Sequence, residues 1–399
     1  MLPLEGIRVI DMTRAQMGPY CGQLLAEYGA DVIKVEAREG EFLRSATRYW
    51  DREGIGSYFL ALNRSKRGLA LDFKKEKGRE VIYRLAEKAD VLIENYTPGV
   101  LESYNLGYGS IVKHKPDIIY CHVSAYGRRG PLKQEDGYDL IMQGETGIMY
   151  HTGYPGSPPS PVMCSLIDMN GAALLLSGIL MALRVRDNTG EGQEVEVSLL
   201  SSAFSLQTLE LTCHLTSGRP LPRGGRGIPV NIGLYRIFQA SDRWLVLAGV
   251  GEMHWRGLCK AMGVEYLLAD PRFALWTDRE KNIDELIALL DSVFLTRPAG
   301  EWIGRLRQEG VKAGAVLSQE EMLDHPVLRA QIEANGNLVE LELPRVGRIN
   351  VPGIPIHLSK TPGRVRHGPP EIGEHSHEIL TELGYSWEEI AQLVAGEVI

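Results

Sequence analysis

Asp168 lies in SLIDMNGAALLLSGILMALRVRDNTGEGQEVEVSLL, just ahead of an apolar run at 171–183 that closes on Arg184 and Arg186. A carboxylate at the start of an apolar helix has two readings. Aspartate is a favoured N-cap, worth roughly 1 kcal/mol through a bond to an amide two or three residues on. The same place suits a carboxylate nucleophile for acyl transfer. There the helix dipole would keep the group ionised, and the free amides beside it would hold a developing oxyanion. Position alone allows both. Elsewhere no rival centre is visible. GxxxxGK[ST], HExxH and Cys/His metal spacings are absent, so no metal is expected, and without GxSxG the common serine-hydrolase elbow has no support. His114, His122, His151 and His214 are isolated and read as surface or internally satisfied side chains.

The elements that would position Asp168 follow from periodicity. The apolar run of about 14 residues spans only ~20 Å as a helix, short of a ~30 Å bilayer, so it reads as a core helix. It is expected to stop at Asn188-Thr189-Gly190, before an alternating strand at 193–199. Upstream, IRVIDM, DVIKVEA, LALDF, DVLIENY and DIIYCHVSAYG read as strands. Between them YCGQLLAEYG, EKGREVIYRLAEK and PGVLESYNLGYGSIVKHKP read as helices, the last with Pro98 near its first turn. This alternation predicts an α/β fold with a mainly parallel sheet covered on both faces, binding ligands at the carboxyl ends of its strands. Those ends carry residues 13–17, 36–38, 95–96 and 124–127. The first strand-to-helix turn, DMTRAQMGP, lacks GxGxxG, which argues against a nicotinamide dinucleotide, and Glu36 reads as a solvated acid rather than a ribose ligand.

Past a second apolar helix, RPLPRGGRGIPVNIG is the best linker. A hairpin-like pair around 240–243 and several helical segments then predict a smaller α+β domain, followed by a strand-and-turn tail closing in two short helices. The expected division is 1–218 for the first part of a large domain, 219–233 for the linker, 234–317 for the small domain and 318–399 for a connector and return. A length of 399 residues suits two domains, and 44% hydrophobic with 24% charged residues is ordinary globular composition. A net charge of −8 argues against a nucleic-acid partner. The five cysteines show no CxxC pair and read as reduced thiols. MLPLEGIRVIDM enters a strand pattern directly, so a cytoplasmic location with no membrane association is expected.

Six separated blocks acquire weight together: QMGPYCGQLLAEYGADVIKVEA, LNRSKRGLALDFKKEKGREVIYRLAEKADVLIENYTPGVLE, PDIIYCHVSAYGRRGP, GYDLIMQGETGIM, the Asp168 stretch, and GEHSHEILTELGYSWEEI. In this order and spacing the chain closely resembles the class III CoA-transferases, the family of formyl-CoA transferase and carnitine CoA-transferase. The resemblance implies a Rossmann-like large domain built from both chain ends, an inserted small domain, and a homodimer of interlocked rings. It implies acyl-CoA and a small carboxylic acid as substrates, with no permanently bound cofactor. Asp168 falls on the family's catalytic aspartate, which passes through a mixed anhydride and an aspartyl-CoA thioester.

Gln16 matches a glutamine near the reacting acyl group, and Tyr138 a tyrosine beside the aspartate, though they would also read as a loop polar residue and a buried aromatic. Ala15, Leu71, Lys74, Asn95 and Tyr96 match CoA contacts, with Met17 and Arg38 added beside them. The family's basic residue after the second strand aligns with Ala37, next to Arg38, and a lysine of some members aligns with Asp136. An α-methylacyl-CoA racemase of the same fold is the alternative, but racemases carry histidine where this chain has Tyr138, and a phenol is a poor proton shuttle at neutral pH. A non-catalytic CoA-binding homologue is a further alternative, opposed by Asp168, Gln16 and Tyr138 together. The consecutive glycines of formyl/oxalate members are missing from PRGGRGIPVNIGLYRIF, which favours a larger carboxylate. Arg44, Arg48, Arg223 and Arg226 are the candidates to hold a second carboxylate.

Overall fold

A computed structural model describes residues 1–45, 56–228, 233–344 and 346–399. The chain divides into two compact units, one of Met1–Thr146, Met163–Leu206 and Ala330–Ile399, the other of Gly147–Val162 and Gln207–Arg329. The first is built on β1 (Arg8–Asp11), β2 (Asp31–Glu36), β3 (Arg67–Ala70), β4 (Val91–Glu94), β5 (Ile119–Ser124) and β6 (Gln193–Ser198). These pair in parallel in the order β3-β2-β1-β4-β5-β6. β1, β2 and β4 are nearly continuous in buried residues, as strands covered on both faces must be. The order reverses at β1, so the crevice between the β1 and β4 exits is the switch point where ligands of such sheets bind.

The connecting helices are α1 (Met17–Glu27), α2 (Ser57–Leu62), α3 (Glu76–Glu87), α4 (Val100–Ser103), α5 (Tyr108–Ile111), α6 (Asp139–Glu145), α8 (Leu166–Thr189) and α9 (Leu199–Leu206), while α7 (Ile148–His151) belongs to the second unit. The single helix expected after Pro98 is two short turns, because Gly99 at φ 96° and Asn105 at φ 59° break the right-handed run. The third strand lies earlier than LALDF, at Arg67–Ala70 in register with Ile33–Glu36.

α8 departs most from expectation. It starts at Leu166 with Ser165 as N-cap and runs 24 residues to Gly190, which closes it at φ 75°. Its length of about 36 Å removes the argument that it is too short for a bilayer. Length and composition alone would let it cross one. In this fold α1, α9 and β6 pack along it, and Ile167, Ala172, Leu175, Ile179 and Leu183 are buried.

Residues 330–399 pack back onto the β3 edge. His375 donates its amide to the Gly68 carbonyl at 3.0 Å, and the Ala70 amide donates to Ser376 Oγ at 3.2 Å. A hairpin of β10 (Leu338–Leu343) and β11 (Gly347–Pro352) and the helices α17 (Ser376–Glu382) and α18 (Trp387–Ala395) complete this unit. The second unit holds α10 (Thr208–Ser217) and the antiparallel strands β7 (Leu234–Gln239), β8 (Trp244–Val250) and β9 (Ala313–Ala315). Around them lie α11 (Glu252–Met262), α12 (Trp276–Lys281), α13 (Ile283–Phe294), α14 (Ala299–Gln308) and α15 (Gln319–Asp324). Its mainly aliphatic core holds an aromatic cluster, with Phe238, Phe294 and Trp302 in contact. Residues 147–162 and 207–218 group with this unit rather than with 1–218, and the division downstream falls inside α16 (Pro326–Ala334). The five cysteines are free.

Candidate active site

The turn after β1 is held by buried charge. Asp11 Oδ1 accepts from the Thr13 amide at 3.0 Å and from Thr13 Oγ1 at 2.5 Å. Its Oδ2 accepts from Lys66 Nζ at 2.7 Å, and Lys66 spends its other protons on Pro19 O and Asn63 Oδ1, both at 2.8 Å. Burial pushes the Asp11 carboxyl up, but the ammonium groups of Lys66 and Lys34 outweigh it and hold the carboxyl at about 2. Lys34 donates to the Thr13 carbonyl and pairs with Glu41, which in turn accepts the Ala15 amide at 3.2 Å. Ala15 sits at φ 65°, a conformation that costs a non-glycine residue on the order of 1 kcal/mol and persists only where its neighbours over-determine it. Gln16 follows, half-buried, as the N-cap of α1. This framework gives the loop one shape.

Asp168 meets this loop from α8. It is the third residue of the helix, 9% exposed, and the Met17 amide donates to its carboxylate. It is not the cap that its sequence position suggested. That task falls to Asp139 at the start of α6, whose Oδ2 accepts the Ile167 amide at 2.7 Å and the Asp168 amide at 3.1 Å. Two of the amides expected to stand free for an oxyanion are therefore occupied. Nor does the helix terminus keep Asp168 ionised. Burial first, and the neighbouring Asp139 second, push its carboxyl up to about 7, against the single amide bond from Met17. Sequence reasoning missed Asp139. The available signal was a carboxylate directly after Tyr138, at the start of a helix.

The remaining expectations fall in different places. Met17 is 3% exposed, its thioether packed so closely on Gly171 that a Cβ there would lie 2.6 Å from the sulfur, so toward a ligand it offers backbone rather than side chain. Asn95 and Tyr96 follow β4, and Asn95 bonds the Arg14 backbone from across the switch point. Leu71 is 1% exposed and belongs to the core, which leaves only its backbone for contact. Lys74 and Arg38 are exposed beyond β3 and β2. Arg38 lies 3.7 Å from Glu397 and lines a cavity of about 450 Å³ with Ala70, Gly373 and Ser376. Tyr138 is 63% exposed as N-cap of α6, not a buried aromatic. Glu36 is not solvated either: it is 7% exposed and grips Arg44 at 2.9 and 2.5 Å.

Three of the four arginines proposed for a second carboxylate are committed elsewhere. Arg44 holds Glu36. Arg223 donates to the carbonyls of Thr152, Ser157 and Pro158. Arg226 pairs through both guanidinium nitrogens with Asp291, at 3.0 and 2.6 Å. Arg48 lies outside the described residues. Among the described residues no group of three metal-ligating side chains converges.

The model of CoA-transferase family III matches residues 4–376. An acyl-CoA transferase of Fusarium pseudograminearum is 36% identical over 98% of this chain and 86% of its own length. A succinate–glutarate CoA-transferase of Agrobacterium fabrum is 35% identical over 96% of each chain. A CAIB/BAIF family protein of Brucella suis superimposes with a TM-score of 0.82 at 31% identity, over 96% of this chain and 99% of that one. On sequence and fold together, the chain belongs to CoA-transferase family III and is an enzyme that moves CoA between an acyl-CoA and a carboxylic acid.

Proposed function

We propose that Asp168 is the nucleophile and that the substrates are dicarboxylic, of the succinate–glutarate size. The observation that carries the reading is the buried Asp168 carboxylate at the start of α8, meeting the amide of Met17 at the β1 exit. A carboxylate is the side chain that can hold first an anhydride and then a thioester. Asp168 attacks the thioester carbonyl of the donor; the C–S bond breaks and CoA thiolate leaves. The thiolate attacks the Asp168 carbonyl of the anhydride, releasing the donor acid and leaving an aspartyl-CoA thioester. The acceptor carboxylate attacks that thioester to give a new anhydride, and CoA thiolate takes the acceptor acyl group, returning Asp168 as carboxylate. Atoms and charge balance without a cofactor. Gln16, on the same loop as Met17, is suited to donate to the acyl oxygen. CoA lies over the carboxyl ends of β1 to β4, along Ala15, Met17, Arg38, Leu71, Lys74, Asn95 and Tyr96.

The acid class rests on the Agrobacterium relative's name and on the missing glycine run. The working assembly in this reading is an interlocked homodimer, in which a second copy covers Leu180, Met181 and Val185 on α8 and Phe204 on α9, all exposed here. Purified protein given succinyl-CoA and glutarate should form glutaryl-CoA, and Asp168→Asn should abolish exchange while folding normally. Turnover near wild type in a folded Asn variant would sink the nucleophile. A carboxyl titrating near 7 would also suit proton transfer at C2, which keeps racemisation as a second reading. A 2-methylacyl-CoA in D₂O should gain no deuterium at C2 on the timescale of exchange.

A further inference from the structure

We propose that Asp139 is a positioning residue for Asp168: it fixes the first turn of α8 and sets a buried negative charge beside the nucleophile, so that covalent acylation relieves a repulsion built into the free enzyme. The inference rests on Asp168 being the nucleophile, as argued above.

Three bonds define Asp139. Its Oδ2 accepts the amides of Ile167 and Asp168, its Oδ1 accepts Gln143 Nε2 at 2.6 Å, and the residue is 6% exposed. All three partners are neutral donors, the complement of a carboxylate. Among the described residues neither Asp139 nor Asp168 forms an ion pair with a lysine or arginine. α1, α9, β5 and β6 also pack on α8, yet no charged group on them acts on Asp168; among the described residues the charged group that acts on it is Asp139, from α6. The turn thus places two carboxylates together in a site with little water, where like charges repel more strongly than in bulk.

The consequence follows from where the charge goes. When Asp168 attacks the thioester carbonyl carbon, the C–S electron pair leaves on the CoA sulfur, and Asp168 becomes part of a neutral anhydride. In the aspartyl-CoA thioester it is neutral again. Asp168 is therefore the charged neighbour of Asp139 only in the free enzyme; in the intermediates the negative charge has passed to the CoA thiolate or to the released carboxylate. Both covalent intermediates are favoured relative to what an isolated carboxylate would give, and the free carboxylate is more basic and more nucleophilic. A cap made by serine or by Asp168 itself would hold the helix without this effect.

The test is the pH dependence of kcat/KM for exchange in wild type, Asp139→Asn and Asp168→Asn, with acyl-enzyme trapped by hydroxylamine. Asparagine keeps a carbonyl oxygen for the helix amides. In wild type the acid limb should lie near 7. In D139N the limb should move down by about one pH unit or more, with plateau kcat and trapped acyl-enzyme both reduced about tenfold. An unmoved limb with full plateau activity would make Asp139 a cap and nothing more. Should D139N not fold, Asp139→Ser, which keeps a cap oxygen without the charge, takes its place, and an acid limb unmoved from wild type overturns the proposal, as does a wild-type limb in the ordinary carboxylate range near 4. Exchange surviving in D168N removes the nucleophile reading itself. Dead D168N with an unmoved D139N limb removes only the role of Asp139.

Discussion

Asn95 and Arg14 bond each other twice: Asn95 Oδ1 accepts the Arg14 amide at 2.8 Å, and Asn95 Nδ2 donates to the Arg14 carbonyl at 2.7 Å. One side chain thus ties the β4 exit to the loop that carries Ala15, Gln16 and Met17. No other neutral side chain of this length supplies one donor and one acceptor in that arrangement. The residue expected from the family likeness to touch CoA is also the clasp of the switch point. The Arg14 guanidinium lies 5.0 Å from the centre of the Tyr96 ring, a second contact between the same two loops.

Asn95→Ala should therefore lower kcat as well as raise KM for acyl-CoA, because it loosens Gln16 along with any CoA contact. Asn95→Asp, which keeps the acceptor and loses the donor, should fall between wild type and Ala. A change in KM alone, with kcat intact in both variants, would show a contact residue and no clasp.

Asp168 should cost stability in proportion to its ionisation. Its folded carboxyl is raised to about 7, above its unfolded value, so the folded state binds the proton more tightly than the unfolded chain does. Stability from this group is fully present below the unfolded pKa and is lost as pH rises through the folded one. Asp168→Asn removes the titration. It should match wild type near pH 4 and exceed it at pH 8 by a few kcal/mol, at roughly 1.4 kcal/mol per pK unit. Denaturant melts at both pH values measure this, and a constant difference between the two proteins would contradict it.

Lys66→Met should be among the most damaging changes at the β1 exit. It leaves Asp11, which is 0% exposed, without one of the two ammonium groups that hold its carboxyl down. Breaking a buried pair from one side costs about 3–5 kcal/mol. The Asp11 shift runs in the opposite direction to that of Asp168: stability from Asp11 is present above its unfolded pKa and fades as pH falls toward about 2. Asp11→Asn combined with Lys66→Met should recover much of the loss of the Lys66 variant, since neither partner is then left charged against a gap. Equal losses in the single and double variants would show that the pair is not the unit that matters.

Interlocking predicts a dimer that persists at nanomolar concentration and trades subunits only as fast as it unfolds. Tagged and untagged dimers mixed under native conditions should remain separate for hours, then form heterodimers after unfolding and refolding. Heterodimers within minutes, with structure retained, would leave a dimer of ordinary contact.

Period and composition were enough to place four of the six strands of the parallel sheet to within a residue or two, because apolar or alternating runs set between helical segments mark strands. Six blocks in order were enough for the family, and one of them marked Asp168. The order β3-β2-β1-β4-β5-β6 was not legible, since parallel pairing leaves no mark on the local pattern. The start of α8 was misread for a related reason: Leu166 and Ile167 are as apolar as the run they precede, so only the observed Ser165 boundary puts Asp168 inside the helix. Arg44, Arg223 and Arg226 show the same limit. A sequence displays a cation but not the Glu36 carboxylate, the three carbonyls or the Asp291 carboxylate that consume it. Asp139 is the sharpest case. Its partners are the amides of residues 167 and 168, which become adjacent only when α6 and α8 pack together. Backbone donors carry no residue-specific signal, so tertiary structure alone decided which carboxylate caps the helix.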